Sequence, residues 1–98
     1  MKLEEFNRLI SDSICPEGLP SLLEALWQDA HDNWEAAHDI AQLKEGTQDY
    51  DRLHAYLHRK EGDSWNANYW YQRAKVKPFK GTLDEEWRML VAYYLERY

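Results

Sequence analysis

One cysteine, three prolines and four glycines are spread over 98 residues, and each scarcity closes off a class of protein. Cys15 alone allows no internal disulfide, so a reducing cytoplasm is the expected setting. No run approaches the roughly 20 apolar residues of a membrane span, so no membrane is expected among the partners. The opening "MKLEEFNRLI" lacks an apolar h-region and carries Glu4 and Glu5 close behind Lys2, so it does not read as a signal peptide. The glycines fall singly, leaving no loop to cradle a phosphate, and no cofactor is expected. Net charge is −6, which argues against nucleic acid, since non-specific affinity rests on neutralising phosphates with Lys and Arg. The local exception is "RAKVKPFKG", where Arg73, Lys75, Lys77 and Lys80 read as cations gathered at a helix end.

Aromatic residues are what the chain has in excess. Five Trp and seven Tyr in so short a domain supply much of the buriable area, and some of those rings must reach the surface or an interface. The chain is too short for two independent cores, so a single domain over residues 1–98 is expected.

Apolar residues recur at helical spacing throughout, and no stretch alternates with period two for long. The class is therefore all-α, with about six helices. The first spans Leu3 to about Ser13 and stops at the Pro16-Glu17-Gly18 turn signal; the second has Pro20 in its first turn and carries Leu22, Leu23, Leu26 and Trp27. Asp32 and Glu35 have capping-box spacing and open the third, which ends near Gly46. Thr47 caps the fourth, "QDYDRLHAYLHRKE", and Gly62 closes it. Asp63 or Ser64 caps the fifth, "WNANYWYQRAKV", which cannot run far past Pro78. Thr82 with Glu85 launches the sixth, whose buried stripe is Leu83, Trp87, Leu90, Val91, Tyr94 and Tyr98.

An offset of 31 residues aligns Leu22 with Leu53, Leu26 with Leu57, Asp32 with Asp63, Trp34 with Trp65 and Ala36 with Ala67. Two helical hairpins follow from that spacing. The second, "EGDSWNANYWYQRA", resembles the latter half of a tetratricopeptide repeat, with Ala67, Tyr71 and Ala74 where that family has small, aromatic and small residues. Pro78 falls near the family's closing proline. The first copy keeps Ala36 but has Ile40 and Leu43 at the matching aromatic and small positions. The chain also resembles short bacterial proteins of uncharacterised function that pair "AYLHRKEGD" with "YWYxRA". These resemblances imply two stacked hairpins with flanking helices, without a fixed activity. Ala67, Tyr71 and Ala74 form one face of the fifth helix, against the fourth. Trp65, Tyr69 and Val76 form nearly the opposite face, which is expected to meet the sixth helix.

Candidate chemistry concentrates on the fourth helix. His54 and His58 lie four apart with Glu61 three further on, offering two imidazoles and a carboxylate to a metal, though without the glutamate of the zinc-protease pattern. His31 and His38 complete a four-histidine cluster if the third and fourth helices bring them near. Cys15 has no local base to make it a nucleophile. Trp65, Tyr69 and Trp70 suit an interface, with Arg59, Lys60 and Arg73 available to a carboxylate. The expected function is therefore binding of a protein partner or formation of a homodimer. The alternative is a metal- or small-ligand-binding protein, possibly an enzyme, using His54, His58 and Glu61.

Overall fold

The computed structural model describes residues 1–98. Six α-helices follow in order: α1 (Leu3–Leu9), α2 (Ser21–Ala30), α3 (Trp34–Ala41), α4 (Gln48–Lys60), α5 (Ser64–Ala74) and α6 (Leu83–Arg97). A short 3-10 turn, Gln42–Lys44, extends α3, and there is no strand. The first helix ends earlier than its apolar spacing suggested, because Ser11 and Asp12 donate to carbonyls three residues back in tightening turns. It is held by Phe6, which is fully buried, and by the Trp27 indole, which donates to the Leu9 carbonyl at 2.8 Å.

The caps divide into those the sequence signals and those it does not. Thr82 and Glu85 form the expected reciprocal box, and Asp63 accepts from the Asn66 amide to open α5. Thr47 precedes α4 as expected but makes no side-chain capping bond. The Asp32–Glu35 box does not form. Asp32 adopts φ +60° and closes α2 instead: its amide donates to Asp29 and the Asn33 amide to Gln28, the two bonds of a Schellman turn.

Gly62, at φ +89°, closes α4 with the same two bonds, from Gly62 to Arg59 and from Asp63 to His58. Asp32 thus corresponds to Gly62, and the two hairpins superpose at the turn with an offset of 30 rather than 31. The corrected offset pairs buried Leu23 with Leu53, Ala25 with Ala55 and Ala37 with Ala67. It also separates the two tryptophans. Trp34 opens α3 partly buried, whereas Trp65 sits one position further along α5 and faces solvent.

Helix α4 is the axis of the domain. On one side Leu53, Tyr56 and Leu57 join α2, α3, α6 and Phe6 in the main core; on the other, Ala55 meets Ala67, Trp70 and Tyr71 of α5. The small–large–small face of α5 is buried as expected, with Ala67, Tyr71 and Ala74 all against α4. The expected sandwich of α5 between α4 and α6 is not found, because α6 packs on α1, α2 and α4. Its aromatic donors find carbonyls there: Trp87 bonds Leu26 at 3.1 Å and Tyr94 bonds Asp49 at 2.7 Å. The far face of α5 is left open, with Trp65 75% and Tyr69 41% exposed.

The close approach of α4 and α5 depends on Ala55, which is fully buried in the seam. Ala55→Leu is expected to destabilise the domain by about 1–3 kcal/mol through overpacking. A lower urea midpoint at unchanged slope is the reading that checks it; an unchanged midpoint contradicts a tight seam.

Candidate functional site

Three imidazoles meet where α3 crosses α4. His54 projects inward from the middle of α4, where only 2% of it is exposed, and His58 follows one turn later on the same face. His38 arrives from α3, so that one ring nitrogen from each of the three lies within 4.8 Å of the others. His54 Nε2 and His38 Nε2 face each other at 2.9 Å. The ring centroids are 4.7 Å apart for His38 and His54, 4.9 Å for His54 and His58, and 5.1 Å for His38 and His58.

Each ring is held by a neighbour. Trp34 stacks on His38 with centroids 4.6 Å apart and planes 12° from parallel, and its indole is pinned by a 2.7 Å bond to the Leu57 carbonyl. Trp70 stacks on His54 at 3.9 Å and 15°. The expectation that Trp70 serves an outer surface is corrected by this contact, since the ring is 8% exposed and forms a wall of the histidine cluster. Glu61 Oε1 lies 2.8 Å from His58 Nδ1. The carboxylate thus reaches the cluster through His58, and it does not join the three nitrogens.

Burial, followed by the charge that neighbouring His38 and His58 take up on protonation, lowers the His54 pKa to about 3. The His38 pKa is also lowered, first by burial and then by His58, although several acidic groups oppose it. His54 Nδ1 is buried without a hydrogen-bond partner. His31 does not join the group, because it stacks on Trp27 at 3.8 Å instead. His38 was only conditionally expected here. Its pairing with His54 depends on how α3 crosses α4, a relation no local spacing encodes.

A second feature lies on α5. Trp65 and Tyr69 are parallel within 13°, with centroids 6.2 Å apart, beside a shallow depression that Asn68 and Gln72 help to line. Arg73 donates to the Tyr69 hydroxyl at 3.1 Å and its guanidinium lies 5.2 Å from the Trp70 ring centre. Arg59 and Lys60 do not stand free beside these rings. Arg59 pairs with buried Glu86 at 2.8 Å and also donates to the Gly81 carbonyl, while Lys60 pairs with buried Asp29 at 2.8 Å. Both cations neutralise interior carboxylates, so of the three bases expected to meet a ligand only Arg73 remains exposed.

No family model, curated protein or solved structure matches the chain.

Because folding lowers the His54 pKa from 6.5 to about 3, the unfolded chain takes up its proton more readily as pH falls. The contribution is fully present above pH 6.5 and is lost as pH falls toward 3. In chelator-treated protein, stability is expected to drop by up to about 1.4 kcal/mol per pH unit from this residue, the limit for one proton. Urea unfolding at stepped pH checks this, with His54→Asn as reference. Equal slopes in the two proteins contradict it.

Proposed function

We propose that the chain is a small protein-binding module of tetratricopeptide-like hairpins that recognises a second copy of itself through the outer face of α5. The carrying observation is Trp65, left 75% exposed in a domain that buries Trp27 and Trp70 almost completely. Large exposed rings in a row favour an interface, where they bury area and keep one polar contact. Trp65, Tyr69 and Arg73 recur every four residues and so share one face of α5.

Charge favours a twin over an unrelated partner. The turn before α5 is acidic, with Glu61 and Asp63, and the helix ends in the basic Arg73 and Lys75. A copy laid antiparallel on the strip places the basic end of each helix against the acidic turn of the other, the self-complementarity a two-fold interface requires. Neutral Asn68 and Gln72 between those ends add no repulsion. The reading makes the occupant a protein, without nucleic acid or membrane. It carries a cytoplasmic setting, supported by the lone, unpaired Cys15.

Sedimentation over a rising concentration series tests the reading. The wild-type chain is expected to shift from monomer to dimer, and Trp65→Ala with Tyr69→Ala to weaken that shift by more than about thirtyfold, as for residues at the centre of an interface. Arg73→Gln is expected to weaken it less and to reduce its salt dependence. A wild-type monomer at every concentration contradicts self-association.

A further inference from the structure

We propose that His38, His54 and His58 form a binding centre for a divalent late first-row transition ion of the zinc type, with Glu61 as a positioning residue for His58. His54 does not satisfy its ring nitrogens as an ordinary core histidine does. A structural core histidine has both ring nitrogens satisfied, one giving and one accepting a hydrogen bond. His54 does not: Nδ1 is buried with no partner, as are Asp49 Oδ1 and Asp51 Oδ2, and at His54 the remaining nitrogen, Nε2, faces only another imidazole nitrogen, the contact that points to an ion. One proton between His54 Nε2 and His38 Nε2 makes a single hydrogen bond. A cation there accepts both lone pairs.

The spacing suits such an ion. Zinc binds imidazole nitrogen at about 2.0–2.1 Å, which sets the edges of its coordination tetrahedron at roughly 3.3 Å. The His38–His54 pair, at 2.9 Å, is already near that edge, and all three nitrogens lie within 4.8 Å. The three rings come from two helices that pack directly, so the backbone need not reorganise.

The surroundings are those of a ligand set. Glu61 Oε1 at His58 Nδ1 holds the proton on that nitrogen and leaves Nε2 of His58 with its lone pair exposed, the carboxylate–histidine arrangement that orients metal ligands. Trp34 and Trp70 fix the planes of His38 and His54 by stacking. The donor chemistry sets the class of ion. Three imidazoles without a thiolate favour zinc, cobalt, nickel or copper over calcium and magnesium, which prefer oxygen. Cys15 is not part of the group. Trp65 and Tyr69 are not ligands of the centre, and the two readings share Glu61 and the Tyr69–Trp70 contact, so metal binding by the Trp65→Ala chain separates them.

The test is calorimetric titration of chelator-stripped protein with zinc chloride, repeated optically with cobalt(II). Wild type is expected to bind one ion per chain, and cobalt to give visible ligand-field bands of tetrahedral intensity. His38→Gln and His58→Gln, each confirmed folded by circular dichroism, are expected to lose affinity by more than about a hundredfold. Glu61→Gln is expected to lose about 10–100-fold while keeping one ion per chain. His31→Gln and Trp65→Ala are expected to bind as wild type does. Absence of zinc heat and cobalt bands in the folded wild type overturns the proposal. So does a loss on His31→Gln as large as that on His38→Gln, which marks scattered surface binding.

Discussion

The helix Gln48–Lys60 is buried along most of its length although three of its eight buried residues, Asp49, Asp51 and His54, are polar and Tyr50 and Tyr56 carry hydroxyls, so those groups call for partners on neighbouring elements. Asp49 receives the Tyr98 hydroxyl at 2.6 Å and Arg97 at 2.9 Å, which ties down the end of α6. Burial alone raises the Asp49 carboxyl, but these bonds overcome it and hold the pKa below its ordinary value. Tyr56 donates to Asp29 of α2 at 2.7 Å, and Asp51 accepts from the Gly46 amide ahead of the helix. Arg59 and Lys60, at its end, neutralise Glu86 and Asp29. Removing the cation from such a pair leaves a buried carboxylate uncompensated, so these bonds fix which helix lies where.

Two functional features follow from that axis. Because α6 is drawn to α2 and α4 by Trp87, Tyr94 and Tyr98, nothing covers the outer face of α5, and Trp65 and Tyr69 remain in solvent. Trp70, by contrast, reaches back over α4 onto His54. At Asp49, Asp51 and Tyr56 the interior demand is met by at least one bond to a non-titrating group or a paired charge. Asp49 Oδ1, Asp51 Oδ2 and His54 Nδ1 are all buried without partners, and what distinguishes His54 is that its other ring nitrogen meets only another imidazole.

The legible parts of the chain were those where a local rule decides the outcome. Helical spacing gives the class and six helices, Thr82 with Glu85 gives a real box, and Ala67, Tyr71 and Ala74 give the α4–α5 seam. Asp32 misleads because an Asp can cap a helix or take a left-handed turn, and the turn bonds to Gln28 and Asp29 decide between them. That choice shifts the repeat by one residue and turns Trp65 outward while Trp34 faces in. Arg59 and Lys60 looked available because their partners, Glu86 and Asp29, lie 27 and 31 residues away along the chain. The histidine site was half legible: His54 and His58 share a helix face, whereas His38 and Trp70 enter through packing alone. Glu61 is adjacent as its spacing implies, but it holds His58 and does not face the centre.

Native-state hydrogen exchange, with and without one equivalent of zinc, tests the account of α4 as a buried polar axis with its site at His54 most directly. The account predicts that α4 amides exchange last in the metal-free protein, and that zinc adds protection in α3 around His38 and at the α4–α5 turn around Glu61. Amides of α4 that exchange as early as those of α1, with zinc leaving α3 unchanged, contradict it.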